Sequence, residues 1–145
     1  PAADVRAGVD DVAAELAESV AGGLHRALEA AVAGERGAEE ASVVMERIGA
    51  AYRGFKTQRI EGLAGDAVTA AFARGTIAAS DPSSPLQWVV DDEGRPCPDC
   101  DDNALAGPTP PGDPFPTGQP HPPAHAGCRC LLAPARLPAA VAEAG

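Results

Sequence analysis

The cysteines constrain the fold of this chain more than any other feature. All four lie in two short clusters, Cys97 with Cys100 and Cys128 with Cys130, which bracket one long proline-rich segment. A chain that places every cysteine in this way is most simply closed through sulfur, by a metal ion or by disulfides. We therefore expect the two clusters to meet in the folded protein.

The spacing within the clusters is typical of metal ligands. Two residues separate Cys97 from Cys100, which lets a tight turn present two thiolates to one tetrahedral ion. If residues 128–130 are extended, both of their cysteines point to the same side. The candidate ligands are Cys97, Cys100, His125, Cys128 and Cys130. A tetrahedral ion needs four ligands, so one of these is spare or the set is mixed.

Structural zinc is the expected cofactor, and disulfides are the alternative. An even cysteine count without a recognisable secretory start favours metal over an oxidised framework. His121, held between prolines, is a weaker candidate ligand than His125, and His25 belongs to the helical region. The acidic residues around the first cluster are interpreted as solvated turn residues rather than a calcium site. They are Asp91, Asp92, Glu93, Asp99, Asp101 and Asp102.

Proline divides the chain into regions of different character. Of the 15 prolines, all except Pro1 lie at or beyond Pro82, so helices are permitted before residue 80 and mostly excluded after it. We predict a helical region over residues 1–80, a small β/loop Cys-His module over 81–134 and a tail over 135–145. The predicted fold class is α+β, with N-terminal helices packed on a small antiparallel β unit that the Cys/His cluster closes.

Apolar spacing predicts three helices. The first carries a stripe on one face, formed by Val5, Val9, Val12, Leu16 and Val20. We expect Asp4 to cap it, Gly22 and Gly23 to bend or break it, and an end near residues 34–37. A second helix is predicted around Val44 to Phe55, and a third from about Arg59 to Ile77.

A short β unit is predicted after the helices. Residues 86–90 read LQWVV and end in an acidic turn, which indicates a strand entering a hairpin whose far side delivers Cys97. Leu131 and Leu132 form a possible partner strand, cut short by Pro134. Aromatic residues are only 3% of the chain, so alanine and valine supply most of the apolar area and we expect a thin core.

Charge and hydropathy exclude several classes of partner. The net charge of −10 argues against direct DNA binding by this chain. Arg53, Lys56 and Arg59 can form a basic stripe on a helix, which we interpret as a solvated face. No apolar run reaches the ~20 residues that span a bilayer, so no membrane association is expected. Because the chain starts at Pro1 rather than Met, we expect a processed product or a portion of a longer protein.

The sequence contains only half of the motif that would indicate an enzyme. Pro96, Cys97 and Cys100 match one half of the zinc deaminase signature, but the upstream His or Cys followed two positions later by Glu is missing. A centre saturated by thiolates also leaves no position for the water that catalytic zinc activates. We therefore expect no enzymatic activity.

The order of motifs resembles the Mu F-like phage head morphogenesis, or minor capsid, proteins. The resemblance covers roughly residues 56–132. The matching positions of the module are Trp88, Asp91, Cys97, Cys100, Gly107, Pro122, Pro123, His125, Cys128, Arg129 and Cys130. The preceding helix matches at Arg59, Ala64, Phe72 and Gly75. The chain departs from the pattern at Ala126 and Gly127, where Pro and Asn are usual, and at residues 64–67, where A-R-T-E is typical.

This resemblance implies a structural role in a phage or prophage particle. It implies a portal-associated assembly factor of the virion head, assembled in the bacterial host cytoplasm, whose partners are portal or other capsid proteins. It also implies possible fusion to the portal protein, which suits a chain without an initiator Met. A stand-alone zinc-binding adaptor domain is the alternative, and a deaminase is the least favoured reading.

Overall fold

The computed structural model describes residues 2–33, 40–91 and 97–135. The first part forms three helices, α1 (Ala2–Val32), α2 (Ala41–Gln58) and α3 (Ile60–Ala79). The second part contains strand β1 (Leu86–Val89), helix α4 (Pro98–Leu105) and strand β2 (Leu131–Pro134). The predicted α+β class is confirmed, because the N-terminal helices pack on a two-stranded antiparallel sheet beside the Cys/His cluster.

The three long helices form an antiparallel helical hairpin. One side is α1, and the other side is α2 followed by α3. Helix α1 packs against both α2 and α3. Gly23 in its second half faces Phe55 of α2, whereas Gly8 in its first half faces Arg74 of α3, so the two sides run in opposite directions. An ion pair between Arg74 and Glu15 also joins the sides, with Nη2 and Oε1 2.9 Å apart. Only Arg59 separates α2 from α3, and backbone hydrogen bonds continue across it.

Two details of the helix prediction are wrong. Helix α1 continues through Gly22 and Gly23 without interruption, and it begins at Ala2, so Asp4 lies inside its first turn. The pair of glycines therefore does not break the helix. A Cβ at position 23 would lie 2.8 Å from Cε2 of Phe55, so glycine is there because the ring packs against the backbone. The predicted end at 34–37 falls outside the described residues.

Gly23→Ala is expected to destabilise the protein although alanine is the better helix former. The added methyl group meets the buried Phe55 ring, and overpacking of this kind costs about 1–3 kcal/mol. Gly22→Ala is the matched control: its Cβ reaches only the flexible end of Arg26, so helix propensity should stabilise it by up to about 1 kcal/mol. Urea denaturation of both variants measures the difference. Equal stabilisation by both substitutions would contradict the contact with Phe55.

The main core lies in the second half of the chain. Strand β1 pairs with β2 in antiparallel register, with Trp88 opposite Leu132. Helix α3 packs against β2 and closes one side of this core with Ala73, which is 1% exposed. The buried members of the core are Ala73, Leu86, Trp88, Cys100, Phe115, Cys128, Cys130 and Leu132. Three of the four cysteines thus lie in the apolar core, where they pack against its other side chains.

The predicted partner of β1 is confirmed, whereas the strand expected to deliver Cys97 falls on residues 92–96, which lie outside the described part of the chain. Cys97 itself precedes α4, a helix that the sequence analysis did not predict. The proline-rich segment is also more organised than expected. Thr109 exchanges two backbone hydrogen bonds of 2.8 Å with Leu86, and Phe115 packs edge-to-face on Trp88 with ring centroids 5.2 Å apart.

The helical hairpin buries few of its own side chains. The side chains of its described residues that are essentially buried are Val12, Phe55, Ala70 and Ala73. Large apolar side chains remain exposed, among them Val68 at 69% and Phe72 at 54% on α3. Across the described ranges, no helix combines the length and the apolar character that crossing a bilayer requires.

Candidate metal centre

The first two sulfurs are positioned by the start of α4. Cys97 has extended backbone angles at the N-cap of this helix, and Pro98 follows at its beginning, where a missing N–H costs nothing. The backbone N–H of Cys100 donates to Sγ of Cys97 at 3.3 Å. The thiol therefore takes the place of the oxygen that usually caps a helix, and the turn brings both sulfurs to one side.

The other donors come from the loop that leads into β2. The N–H of Cys128 donates to the carbonyl of His125 at 3.1 Å, which folds the segment into a turn. Gly127 has φ of +75°, a left-handed conformation that favours glycine. Its N–H donates to Oδ1 of Asp66 on α3 at 2.8 Å, so the loop is fixed to the helical hairpin.

Cys128 and Cys130 point inward together, as the sequence predicts. They are 3% and 4% exposed, whereas Arg129 between them is exposed. This alternation is that of an extended segment. Both sulfurs therefore reach the same interior from the segment just before β2.

The donors form two groups that share Cys100. One group joins Cys97, Cys100 and His125, and the other joins Cys100, Cys128 and Cys130; within each, the ligand atoms lie within 4.8 Å of one another. Sγ of Cys100 is 3.5 Å from Nε2 of His125 and 3.8 Å from Sγ of Cys128. All five candidate ligands thus converge around one buried sulfur.

These distances fit a metal ion better than a disulfide. Zinc bonds of about 2.3 Å to sulfur and about 2.0–2.1 Å to nitrogen give tetrahedral edges of about 3.8 Å between sulfurs and about 3.5 Å between sulfur and nitrogen. The two distances around Cys100 match these edges. A disulfide bond is about 2.05 Å long. All four cysteines lie in the described part of the chain and are free, so the structure contains none of the alternative disulfides.

The ring of His125 is oriented for ligation. Its Nδ1 lies 3.0 Å from the carbonyl oxygen of Ala126, and since a carbonyl only accepts, Nδ1 carries the proton. Nε2 then presents a lone pair toward the sulfurs, as in histidines that bind metals. The hydrogen bond to Ala126 also raises the pKa of His125, with further raising contributions from the neighbouring thiols.

Hydrogen bonding favours the thiolate at two of the sulfurs. The side chain and the backbone N–H of Cys100 both donate to Cys97 and lower the pKa of Cys97. For Cys128, burial acts in the raising direction, but backbone hydrogen bonds at Ala124 and Cys130 and the neighbouring thiols leave its pKa lowered. Such thiolates are the form that binds metal.

Burial acts against ionisation at the other two sulfurs. It raises the pKa of Cys100 strongly, and the neighbouring thiols raise it further. It also raises the pKa of Cys130. Because both side chains sit in the apolar core, burial favours their neutral thiol forms. A cation bound among the sulfurs would favour the thiolate forms instead.

The remaining predicted residues lie elsewhere. Nδ1 of His121 is 2.7 Å from the carbonyl oxygen of Pro122, and His121 belongs to neither donor group. His25 is an exposed residue of α1 paired with Glu29, whose Oε1 is 3.1 Å from its Nε2. Of the acidic residues near Cys97, Asp92 and Glu93 lie outside the described residues.

Two residues that support the centre were missed from the sequence. Asp66 holds the ligand loop, and Asn103 of α4 is 0% exposed and bonded to Thr117. Nothing in the sequence marks Asp66, because its partner lies 61 positions away. The dipeptide Pro98-Asp99 is a helix-start signal, and it offered the one indication of α4 and hence of Asn103.

Comparison with known proteins identifies no relative. No family model, curated protein or solved structure matches this chain.

Proposed function

We propose that the cluster binds one structural zinc ion through Cys97, Cys100, His125 and Cys128. The observation that carries the proposal is the pair of distances from Sγ of Cys100, 3.5 Å to Nε2 of His125 and 3.8 Å to Sγ of Cys128. Both match edges expected in a zinc-centred tetrahedron of sulfur and nitrogen ligands. Cys97 shares a donor group with Cys100 and His125, and Cys128 is joined to this group through Cys100.

The proposed role of the ion is to clamp the module. Four protein ligands leave no position for water, which is the arrangement of structural rather than catalytic zinc. The ligands come from α4 and from the loop before β2, and this loop is held on α3 through Asp66. The ion thus fastens the β unit, the proline-rich segment and the helical hairpin at one point.

Metal removal provides the first test. We expect the chain, purified without chelator, to carry one zinc ion, with an apparent binding free energy of about 10–16 kcal/mol at pH 7. Chelation should increase hydrogen exchange over residues 86–91 and 97–132 while circular dichroism shows α1–α3 still formed. Mass spectrometry under native conditions counts the metal. A chain that contains no metal and exchanges at the same rate with and without chelator would refute the clamp.

We further propose that this clamped module belongs to a non-enzymatic minor capsid or head morphogenesis protein that associates with the portal. Two observations support this role. The Trp, Cys and His positions that resemble the Mu F-like pattern pack together around one core and its sulfur cluster. In addition, Val68 and Phe72 leave apolar surface exposed on α3, where a partner protein can dock.

Purified particles test the assembly role. If the proposal is correct, proteomics of virions or prophage particles from the source bacterium detects the chain in few copies per head, and cross-linking joins it to the portal protein. The neighbouring genes are then expected to encode portal and terminase. A chain that binds zinc but is absent from particles would instead favour the stand-alone adaptor domain.

A further inference from the structure

A second group of donors overlaps with the proposed zinc ligands. Cys100, Cys128 and Cys130 are all buried, and their sulfur atoms lie within 4.8 Å of one another. This group contains no nitrogen or oxygen donor. Its composition therefore differs from that of the zinc set, although it shares Cys100 and Cys128 with it.

Three buried sulfurs suit a soft monovalent cation. Thiolates select thiophilic ions such as Cu(I), whereas a set that mixes sulfur and imidazole suits zinc. In a trigonal site with metal–sulfur bonds of about 2.3 Å, the sulfurs are about 4 Å apart. Sγ of Cys100 and Sγ of Cys128 are 3.8 Å apart, which is compatible with this triangle as well as with a tetrahedron.

The indole of Trp88 supplies an independent observation. Trp88 is 3% exposed, and its Nε1 makes no hydrogen bond with any described residue. A buried N–H without an acceptor is costly. Trp88 and Cys130 belong to the same buried core, and Trp88 lies opposite Leu132, two residues beyond Cys130. A metal-bound Cys130 thiolate is an acceptor that satisfies the indole N–H, as outer-shell donors do for other ligands.

We infer that Cys100, Cys128 and Cys130 form an alternative three-thiolate site for a thiophilic monovalent cation of the Cu(I) type, with the Trp88 N–H donating to Cys130. The inference rests on the proposed zinc centre, because two sulfurs belong to both sets and the ions exclude each other. Zinc engages Cys97 and His125, while Cu(I) releases them and engages Cys130. Cys130 is then the residue that determines the response to soft metal.

The experiment compares the Cu(I) and zinc affinities of the full chain under anaerobic conditions. The metal-free protein is titrated with Cu(I) in competition with a chromophoric Cu(I) chelator, and separately with zinc in competition with a zinc indicator. Loss of an outer-shell partner alone costs about 10- to 100-fold in metal affinity. We therefore expect Cys130→Ser to lower Cu(I) affinity by at least about tenfold while zinc affinity stays nearly unchanged.

His125→Ala is the matched variant, because it should lower zinc affinity rather than Cu(I) affinity. His125 is exposed, so His125→Ala removes no core packing and should lower zinc affinity while leaving Cu(I) affinity unchanged. Trp88→Phe removes the N–H and keeps a smaller aromatic ring in the core, so it should weaken Cu(I) binding more than zinc binding and tests the site if Cys130→Ser does not fold. In the unmodified chain, one equivalent of Cu(I) should release the bound zinc.

The results separate this inference from the zinc proposal. Unchanged Cu(I) affinity in both Cys130→Ser and Trp88→Phe overturns the inference, as does an equal loss of zinc and Cu(I) affinity in Cys130→Ser. Absence of zinc binding in the unmodified chain refutes the zinc centre. If Cu(I) binding then still depends on Cys130 and Trp88, the three-thiolate site stands alone.

Discussion

Cys100→Ser is expected to abolish zinc binding and to release the module from its clamp. Cys100 is the one donor common to both groups, and its sulfur lies 3.5 Å from Nε2 of His125 and 3.8 Å from Sγ of Cys128. It is also 2% exposed in the core, so the serine hydroxyl would be buried in apolar surroundings. Structural zinc contributes about 10–16 kcal/mol of apparent binding free energy in small peptides. Its loss should therefore remove most of the stability of residues 86–132.

Metal content and hydrogen exchange measure this effect. We expect Cys100→Ser to retain no zinc after dialysis and to exchange rapidly over residues 86–91 and 97–132, while circular dichroism still reports α1–α3. Cys130→Ser is the control, because it removes another buried thiol of the same core but leaves the proposed zinc ligands intact. If Cys100→Ser held zinc as tightly as the unmodified chain, the proposed centre would be wrong.

Asn103→Ala is expected to destabilise the module by about 3 kcal/mol, since it removes a fully buried side chain that hydrogen-bonds to the half-buried Thr117 of the proline-rich segment. Nδ2 of Asn103 donates to Oγ1 of Thr117 at 2.9 Å, and the N–H of Thr117 donates to Oδ1 of Asn103 at 3.1 Å. Asn103 is 0% exposed, so water does not replace these bonds in the folded state. The substitution therefore loses hydrogen bonds and opens a cavity at the same place.

Thermal or urea denaturation of the zinc-loaded protein measures this loss. Asp102→Ala is the matched control, because Asp102 is the neighbouring residue of α4 and is exposed. It should change the free energy of unfolding by less than about 0.5 kcal/mol. A loss below about 1 kcal/mol in Asn103→Ala would mean that Thr117 finds other partners and that Asn103 does not organise the segment.

The regular elements were the most predictable part of the fold. The second and third helices and the first strand follow from apolar spacing, and they appear close to the expected residues. The break expected at Gly22 and Gly23 was wrong because local propensity was read without the tertiary contact. Phe55 packs where the side chain of residue 23 would lie, and this packing outweighs the low helix propensity of glycine.

Helix α4 shows why short elements are harder to predict. Its eight residues are too few for an apolar period, and four of them are Asp or Asn, which favour turns as readily as helix starts. What makes the segment helical is its environment. The thiol of Cys97 caps its first turn, and Asn103 is fastened to Thr117, 14 positions away.

The sequence by itself determined which side chains can form the centre. Spacing and the absence of other cysteines singled out Cys97, Cys100, His125, Cys128 and Cys130, because thiolates and imidazole are the ligands that soft and borderline metals require. Only the tertiary structure decided how these five donors divide: Cys100 belongs to two overlapping groups, and Cys130 lies in the same buried core as Trp88. The physical reason is that a metal site depends on distances of a few ångströms between atoms that are distant in sequence, and packing on α3 sets those distances.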